Sequence, residues 1–157
     1  MQNQTTFETA RGISAVDVQK GFSLVVVRGL GEDRERLSEA LDAIKQAGLS
    51  ADFLKLGQAQ FSFLVLEQDQ QKAVDALTAK CLEASHHRSK AVIKVSSPNV
   101  RDESGLMARI CEIVLDSGAT IYNVGDMHDG VQVVVQAERS EATCDALRSH
   151  IGSAELV

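Results

Sequence analysis

Cysteines are few in this sequence, and their spacing fits neither a metal site nor a disulfide framework. The three, Cys81, Cys111 and Cys144, are far apart, and no C-x-x-C pair occurs. Small disulfide scaffolds carry even sets of cysteines, and cysteine-based zinc sites need close pairs. We therefore predict three reduced thiols.

The sequence also lacks basic clusters and long apolar runs. Its formal net charge is −6, whereas nucleic-acid binding needs clustered lysines and arginines that neutralise phosphates. The longest apolar run, residues 24–27, is far too short to span a bilayer. Residues 1–6 show no basic region leading into an apolar core, which a signal peptide would have. These absences argue against nucleic-acid and membrane partners and predict a cytoplasmic protein.

What the chain does contain is an ordinary globular composition arranged as an internal repeat. Of its 157 residues, 44% are hydrophobic and 24% are charged, which suits one domain or two very small ones. Gly48 and Gly118 end two predicted helices 70 residues apart. The same shift superimposes Val25 on Val95 without a gap. A gapless self-match of this kind indicates internal duplication.

The predicted element order is the same in both halves, βαββα, to which a fourth strand can be added. This order predicts an α+β fold of two ferredoxin-like (βαββαβ) units, each an antiparallel sheet with two helices on one face. Strands are expected at residues 22–28, 49–56, 61–66, 91–97, 119–124 and 131–136, and helices at 34–47, 69–81, 104–116 and 140–151. A turn is expected at 125–130, and short strands can form at 10–16 and 154–157.

The repeat divides the chain into three segments. Residues 1–18 are a leading segment that can add a strand to a sheet. Residues 19–88 are the first unit, whose end includes most of a linker predicted at 82–90, and residues 89–157 are the second unit. Units of this size bury little surface alone and expose sheet edges, so pairing of units and of chains is expected.

Residues 96–110 are the leading candidate for a binding site. They are predicted to be a strand end, a polar loop and the first turns of an amphipathic helix. A helix start offers free backbone N–H groups to a small carboxylate. The groups in question belong to Ser104, Gly105, Leu106 and Met107. A Cβ at position 105 could block the ligand, but Asp102 or Ser104 could equally well just cap the helix.

The corresponding loop of the first half is a second candidate, with Gly31, Glu32 and Asp33 as its binding residues. Asp33 can cap the helix that follows, and its charge would then repel an incoming carboxylate. It could instead hold the ammonium group of a ligand.

Three stretches of the sequence resemble a known family of regulatory modules. Residues 11–17, leading into 23–27, are similar to the entry into its first regulatory unit. Residues 102–110 resemble the loop and helix start of its second unit, and residues 118–124 resemble the helix end and strand that follow. Over nearly its whole length the chain resembles a tandem pair of ACT domains, and more narrowly the C-terminal regulatory half, or the small beta subunit, of aspartate kinase.

The resemblance implies an amino-acid-binding allosteric module in the feedback control of lysine, threonine and methionine biosynthesis. Asn123, the Val124 backbone and Asp126 are the candidates for binding a ligand ammonium group. The implied partners are lysine or threonine as effector, a kinase catalytic domain or subunit, and a second copy of the chain. No cofactor, metal or catalytic residue is implied, since the chain lacks a glycine-rich phosphate loop with a lysine and a Mg²⁺-binding carboxylate set.

The sequence departs from the ACT pattern at both helix starts, which keeps alternatives open. ACT domains usually have Pro-Gly there, whereas Ser104-Gly105 keeps only the glycine and Arg34-Glu35 keeps neither residue. The chain could therefore be a stand-alone or degenerate tandem-ACT protein that senses an amino acid, or only dimerises, for another partner. A ferredoxin-like hydrolase of the acylphosphatase type would need an anion-clamping arginine, for which Arg34 and Arg101 are loosely placed.

Overall fold

The computed structural model describes residues 12–57, 60–98 and 104–152. These residues form a mixed α/β fold with antiparallel strand pairs and four α-helices. The elements in chain order are β1 (Ala15–Arg28), α1 (Arg34–Gln46), β2 (Asp52–Leu56), β3 (Gln60–Leu66), α2 (Gln70–Thr78), β4 (Glu83–Ser96), α3 (Leu106–Asp116), β5 (Asn123–Met127), β6 (Gly130–Gln136) and α4 (Ser140–Arg148). A single 3-10 turn precedes α2 at Glu67–Asp69, and another precedes α4 at Ala137–Arg139.

The chain divides into two compact units. Among the described residues, one unit, here called the central unit, is Lys20–Lys90, and the other, the terminal unit, combines residues 12–19 with the described residues from Ala91 onward. Strands β1 and β4 therefore each contribute residues to both units. The strand order is β2-β3-β1-β4 in the central unit and β1-β4-β6-β5 in the terminal unit.

The core of the central unit lies between its strands and the helices α1 and α2. Val25 of β1 pairs with Phe63 of β3, and Val27 pairs with Phe61. Because side chains alternate along a strand, these four residues share one face. That face packs against buried residues of the two helices, which are Ala40, Ala43, Ile44, Ala73 and Leu77.

The core of the terminal unit includes residues from the beginning of the described chain. Ile13 and Val16 are buried in it together with residues of β4, β6, α3 and α4. The Ser14 amide donates to the Ser96 carbonyl at 2.8 Å, and an Arg148 guanidinium nitrogen donates to the Val16 carbonyl at 3.3 Å. The terminal unit is thus built from two separated parts of the chain.

The predicted 70-residue repeat is matched by the bounds of the elements. Strands β3 and β6, the 3-10 turns after them, and helices α2 and α4 each begin and end 70 residues apart. Gly48 and Gly118 follow α1 and α3 with φ of 63° and 80°. That left-handed conformation is the usual glycine-dependent end of a helix, so the two glycines serve the same purpose in each half.

The prediction of a linker at 82–90 was wrong. Residues 83–90 lie in β4, next to β1 in the central unit, and the hydroxyl of Ser23 donates to the His87 carbonyl at 3.2 Å. The polar composition of this stretch resembles that of a loop. A strand can be polar where its backbone groups are satisfied by a neighbouring strand.

The bounds of other elements also differ from the predicted ones. The strand expected at 119–124 begins at Asn123, and residues 125–127, expected to be a turn, continue it as the rest of β5. The strand expected to begin at residue 22 begins at Ala15. The short strand proposed at 154–157 lies outside the described residues. Among the described helices, none is long and apolar enough to cross a membrane.

Candidate functional site

The start of α1 borders a cavity of about 300 Å³ within the central unit. It lies between the β1–α1 loop and the turn after β2, and its lining includes all three candidate residues of the first half. The lining residues are Leu30, Gly31, Glu32, Asp33, Arg34, Leu37 and Gly57. Gly31 has φ 58°, a left-handed conformation that a side chain would strain. The loop thus needs glycine there for its backbone path.

Asp33 caps helix α1, as one of the two readings of this loop expected. Its Oδ1 accepts hydrogen bonds from the amides of Glu35 at 2.9 Å and Arg36 at 3.3 Å. Two of the free N–H groups of the helix start are therefore occupied by the protein's own carboxylate. A ligand carboxylate could reach them only by displacing Asp33.

The charges at this cavity are mixed. Glu32 and Asp33 contribute two carboxylates and Arg34 contributes one guanidinium, while Leu30 and Leu37 supply apolar surface. Carboxylates attract an ammonium group, and a guanidinium attracts a carboxylate. The three charged residues are exposed, so each such pairing would be worth about 1 kcal/mol or less.

The start of α3 differs from that of α1. Gly105, the residue before the helix, has φ 81° and no side chain with which to cap it. A Cβ there would meet no protein atom within 4 Å, so the backbone conformation is what requires glycine. Ser104 and Met107 are exposed, while the side chain of Leu106 is buried in the core, leaving only its amide available. Asp102 lies outside the described residues.

The three ammonium candidates all lie in β5, but on two different faces. Val124 pairs with Val133 and Asp126 with Val131, and both valines belong to the terminal core beneath α3 and α4. Asn123 pairs with Val134, which is adjacent to Val133 in β6 and points to the opposite face of the sheet. Because successive strand residues point to opposite faces, the structure does not bring the side chains of Asn123 and Asp126 together.

Four residues that line the cavity were not among the predicted site residues. Leu30, Arg34 and Leu37 are near neighbours of the predicted loop, and Leu37 follows from helical periodicity. Gly57 is distant in sequence and reaches the cavity only because β2 lies beside β3 and β3 beside β1. No local sequence signal could have found it.

Ser97 is a further polar residue that the sequence did not indicate. It is fully buried at the end of β4, and its Oγ has no hydrogen-bond partner among the described residues. Its amide donates to the Asp129 carbonyl at 2.7 Å. Gly130, which follows Asp129, must be a glycine because the Cβ of any other residue would overlap the Val95 carbonyl oxygen. The buried hydroxyl thus lies at the beginning of the segment that leads to α3.

The cysteines do not form a reactive or metal-binding group. No disulfide joins them: Cys81 is exposed, Cys111 is partly buried and Cys144 is buried. Burial raises the pKa of the Cys111 thiol, which disfavours its thiolate and lowers its reactivity. Among the described residues no three His, Cys, Asp or Glu side chains converge as a metal site.

Comparison with known proteins finds relatives of this chain by structure. No known family profile and no curated protein sequence matches the chain. Among solved structures, however, the fold is similar to that of regulatory subunits and regulatory domains of aspartate kinases, which agrees with the sequence resemblance.

Three of these structures illustrate the likeness. The regulatory subunit of aspartate kinase from Thermus flavus matches with a TM-score of 0.81 and 18% identity, over 88% of this chain and 98% of that one. The ligand-free regulatory subunit from Thermus thermophilus matches with a TM-score of 0.79 and 18% identity, over 88% and 98%. Aspartokinase III of E. coli, in complex with lysine and aspartate, matches with a TM-score of 0.74 and 13% identity, over 93% of this chain and 34% of that one. At these identities the likeness is one of fold.

Proposed function

We propose that this chain is a cytoplasmic, amino-acid-binding regulatory module of an aspartate kinase and performs no catalysis itself. The observation that carries the proposal is the cavity at the start of α1, which is lined by Gly31, Glu32 and Asp33. The shared fold supports the same reading. We infer further that each half is a ferredoxin-like ACT unit, with boundaries near residues 19–88 and 89–157.

In the proposed site, an amino acid binds through both of its charged groups. Glu32 and Asp33 attract the ammonium group, and Arg34 pairs with the carboxylate. The α1 amides cannot take the carboxylate while Asp33 accepts their hydrogen bonds. Leu30 and Leu37 contact the ligand side chain. Lysine or threonine is the proposed effector, and lysine was bound in the E. coli enzyme that shares this fold.

We propose the start of α3 as a second effector site. The amides of Ser104, Gly105, Leu106 and Met107 would bind a carboxylate there, and Asp102, which is negatively charged, would attract the ammonium group. Ser97 is proposed as an additional donor, because its buried Oγ has no hydrogen-bond partner among the described residues. For the ammonium group, Asp126 and the Val124 backbone are preferred to Asn123, whose side chain lies on the other face of β5.

The proposed partners are a kinase catalytic domain or subunit and a second copy of this chain. Effector binding would act by favouring one arrangement of these partners over another. A homodimer is supported by the exposed apolar residues of β2, where Leu54 is 40% exposed and Leu56 is 58% exposed. Apolar residues on an edge strand favour pairing with another chain.

The proposal is tested by the thermal stability of the full chain with each of the twenty amino acids. An effector at about 100 times its dissociation constant should add about 2.7 kcal/mol to the free energy of unfolding. Glu32→Gln should weaken this response, and Glu39→Gln, an exposed change of the same charge on α1 outside the cavity, should not. If no amino acid shifts the transition, the sensing function is wrong.

A second candidate function is a degenerate ACT pair that dimerises without binding an effector. The observation that favours it is the Asp33 cap, which occupies amides that a bare helix start would offer to a ligand. Light scattering combined with calorimetry separates the two functions. Dimerisation without heat of binding for any amino acid would support the degenerate pair.

A further inference from the structure

A second cavity, of about 210 Å³, lies in the terminal unit between helices α3 and α4. Its lining residues are Arg109, Ile113 and Asp116 of α3, Ser117 directly after α3, Ala146 of α4, and Ser149 and His150 directly after α4. It contains none of the residues assigned to the proposed effector sites. We call it the α3–α4 groove.

The floor of the groove is held in one shape by its own contacts. Ile113 is buried. Ser117, which follows α3, shares a hydrogen bond of 2.8 Å with the hydroxyl of Thr143 in α4. The Ser117 hydroxyl also lies 2.6 Å from the Val114 carbonyl, and that of Thr143 donates to the Arg139 carbonyl at 2.9 Å. A groove whose floor is already ordered loses little entropy when a small ligand binds.

Opposite charges lie at the two ends of the groove. Arg109 and Asp116 are seven residues apart, which places them on one side of α3 and about 10 Å apart along its axis. The guanidinium of Arg109 contacts Glu112 at 3.1 Å, but the two side chains are 42% and 62% exposed. A pair that is this exposed is worth little and can rearrange. At the other end, the charge of Asp116 adds to the partial negative charge at the ends of α3 and α4.

The equivalent positions of the central unit do not carry this charge pattern. The 70-residue shift places Glu39 where Arg109 stands and Gln46 where Asp116 stands. Glu39 is negatively charged where Arg109 is positively charged, and Gln46 is neutral where Asp116 is negatively charged. The paired charges therefore belong to α3 in particular and are not a general feature of the repeated fold.

We propose that the α3–α4 groove binds a small linear zwitterion, whose anionic end pairs with Arg109 and whose cationic end lies against Asp116. The separation of the two side chains favours ligands whose charges are several carbon atoms apart. Ile113 and Ala146 contact the carbon chain between them. This site is independent of the proposed effector sites and of any kinase.

The experiment is a titration of the full ¹⁵N-labelled chain with 6-aminohexanoate, hexanoate and hexylammonium, followed by amide NMR shifts. The zwitterion should shift amides around residues 109–117 and 146–150 and bind about fivefold more tightly than either singly charged probe, because each exposed ion pair contributes about 1 kcal/mol.

Variants assign the two ends of the ligand. Arg109→Gln should remove the preference for the zwitterion over hexylammonium, and Asp116→Asn should remove its preference over hexanoate. Glu39→Gln, at the equivalent position of α1, should change neither, and the unaffected amide resonances of each variant report that it is folded. The proposal is overturned if the three probes bind equally, if the shifts fall around residues 30–37 instead, or if both groove variants keep the wild-type preference.

Discussion

At the scale of the residue, Asp33 has two roles, and a single substitution that removed both would not distinguish them. Its carboxylate caps α1 through the amides of Glu35 and Arg36, and it also lines the larger cavity. Asparagine keeps the first task because its side-chain oxygen caps a helix about as well as aspartate does. It loses the second because it has no charge.

We therefore expect Asp33→Ala and Asp33→Asn to behave differently. Asp33→Ala should lower the free energy of unfolding by about 1 kcal/mol, because the cap is lost, whereas Asp33→Asn should change it little. Both should weaken effector binding, by about fivefold if one exposed ion pair is lost. Urea denaturation measures the first quantity and calorimetry the second. Wild-type affinity in Asp33→Asn would show that the charge does not contact the ligand.

Glycine is favoured over any other residue at positions 130 and 105, but for different physical reasons. A Cβ at Gly130 would overlap the Val95 carbonyl oxygen, so the requirement there is space. A Cβ at Gly105 would meet no atom within 4 Å, and the requirement there is the positive φ.

The two alanine variants should therefore differ in stability. Gly130→Ala should destabilise by about 2 kcal/mol or more, since the backbone of β4 must move to admit the Cβ. Gly105→Ala should cost about 1 kcal/mol, the strain of a left-handed alanine. Urea denaturation of the pair measures both. Equal, small effects would mean that the turn at residues 128–129 is displaced easily.

At the scale of the element, the segment at residues 12–19 matters most. Ile13 and Val16 are buried among residues of the chain from Ala91 onward. The Ser14 amide donates to the Ser96 carbonyl, and the Val16 carbonyl accepts a hydrogen bond from the Arg148 guanidinium. The segment is therefore a structural part of the terminal unit.

Truncating one of these side chains tests that role. Ile13→Ala should lower the free energy of unfolding by about 3 kcal/mol, because it leaves a cavity in the terminal core. Gln19→Ala, an exposed change six residues further along in β1, should have almost no effect. Amide exchange would show whether the loss falls first on β6 and α3. Equal stability of the two variants would mean that residues 12–16 do not contribute to the core.

At the scale of the whole molecule, the described residues form two compact units, and the sheet edge at β2 belongs to the central unit. The β2 edge of the central unit carries Leu54 and Leu56 outward, next to a bulge at which Phe53 has φ 54°. A bulge and charged side chains protect an edge from indiscriminate pairing. The exposed leucines favour association with one specific partner.

If that partner is a second copy, the full chain should sediment at about twice its 16.9 kDa. Leu56→Lys should shift it toward the monomer, because a charge on an edge strand opposes pairing. Leu115→Lys, at a 54% exposed position on α3, serves as the control and should leave the dimer intact. A monomer in the wild type, or a dimer unaffected by Leu56→Lys, would remove the β2 edge from the interface.

Much of the fold was accessible from sequence because it depends on local chemistry. The positions of α1, α2 and β3 followed from apolar periodicity and glycine stops within about three residues. The polar half of β4 was missed because composition alone does not reveal the neighbouring strand that satisfies its backbone. For the candidate site, Gly31, Glu32 and Asp33 were predicted to act together and do line one cavity, while Gly57 could not be predicted.

Residues close along the chain were enough to predict the 70-residue repeat and the glycines that end α1 and α3, and they made Asp33 a candidate cap for α1. Only the tertiary structure decided which separated segments complete each unit, that Asn123 and Asp126 lie on opposite faces of β5, and where the two cavities open. Those outcomes depend on strand register and on helix packing, and both are fixed by contacts between residues that are distant in sequence.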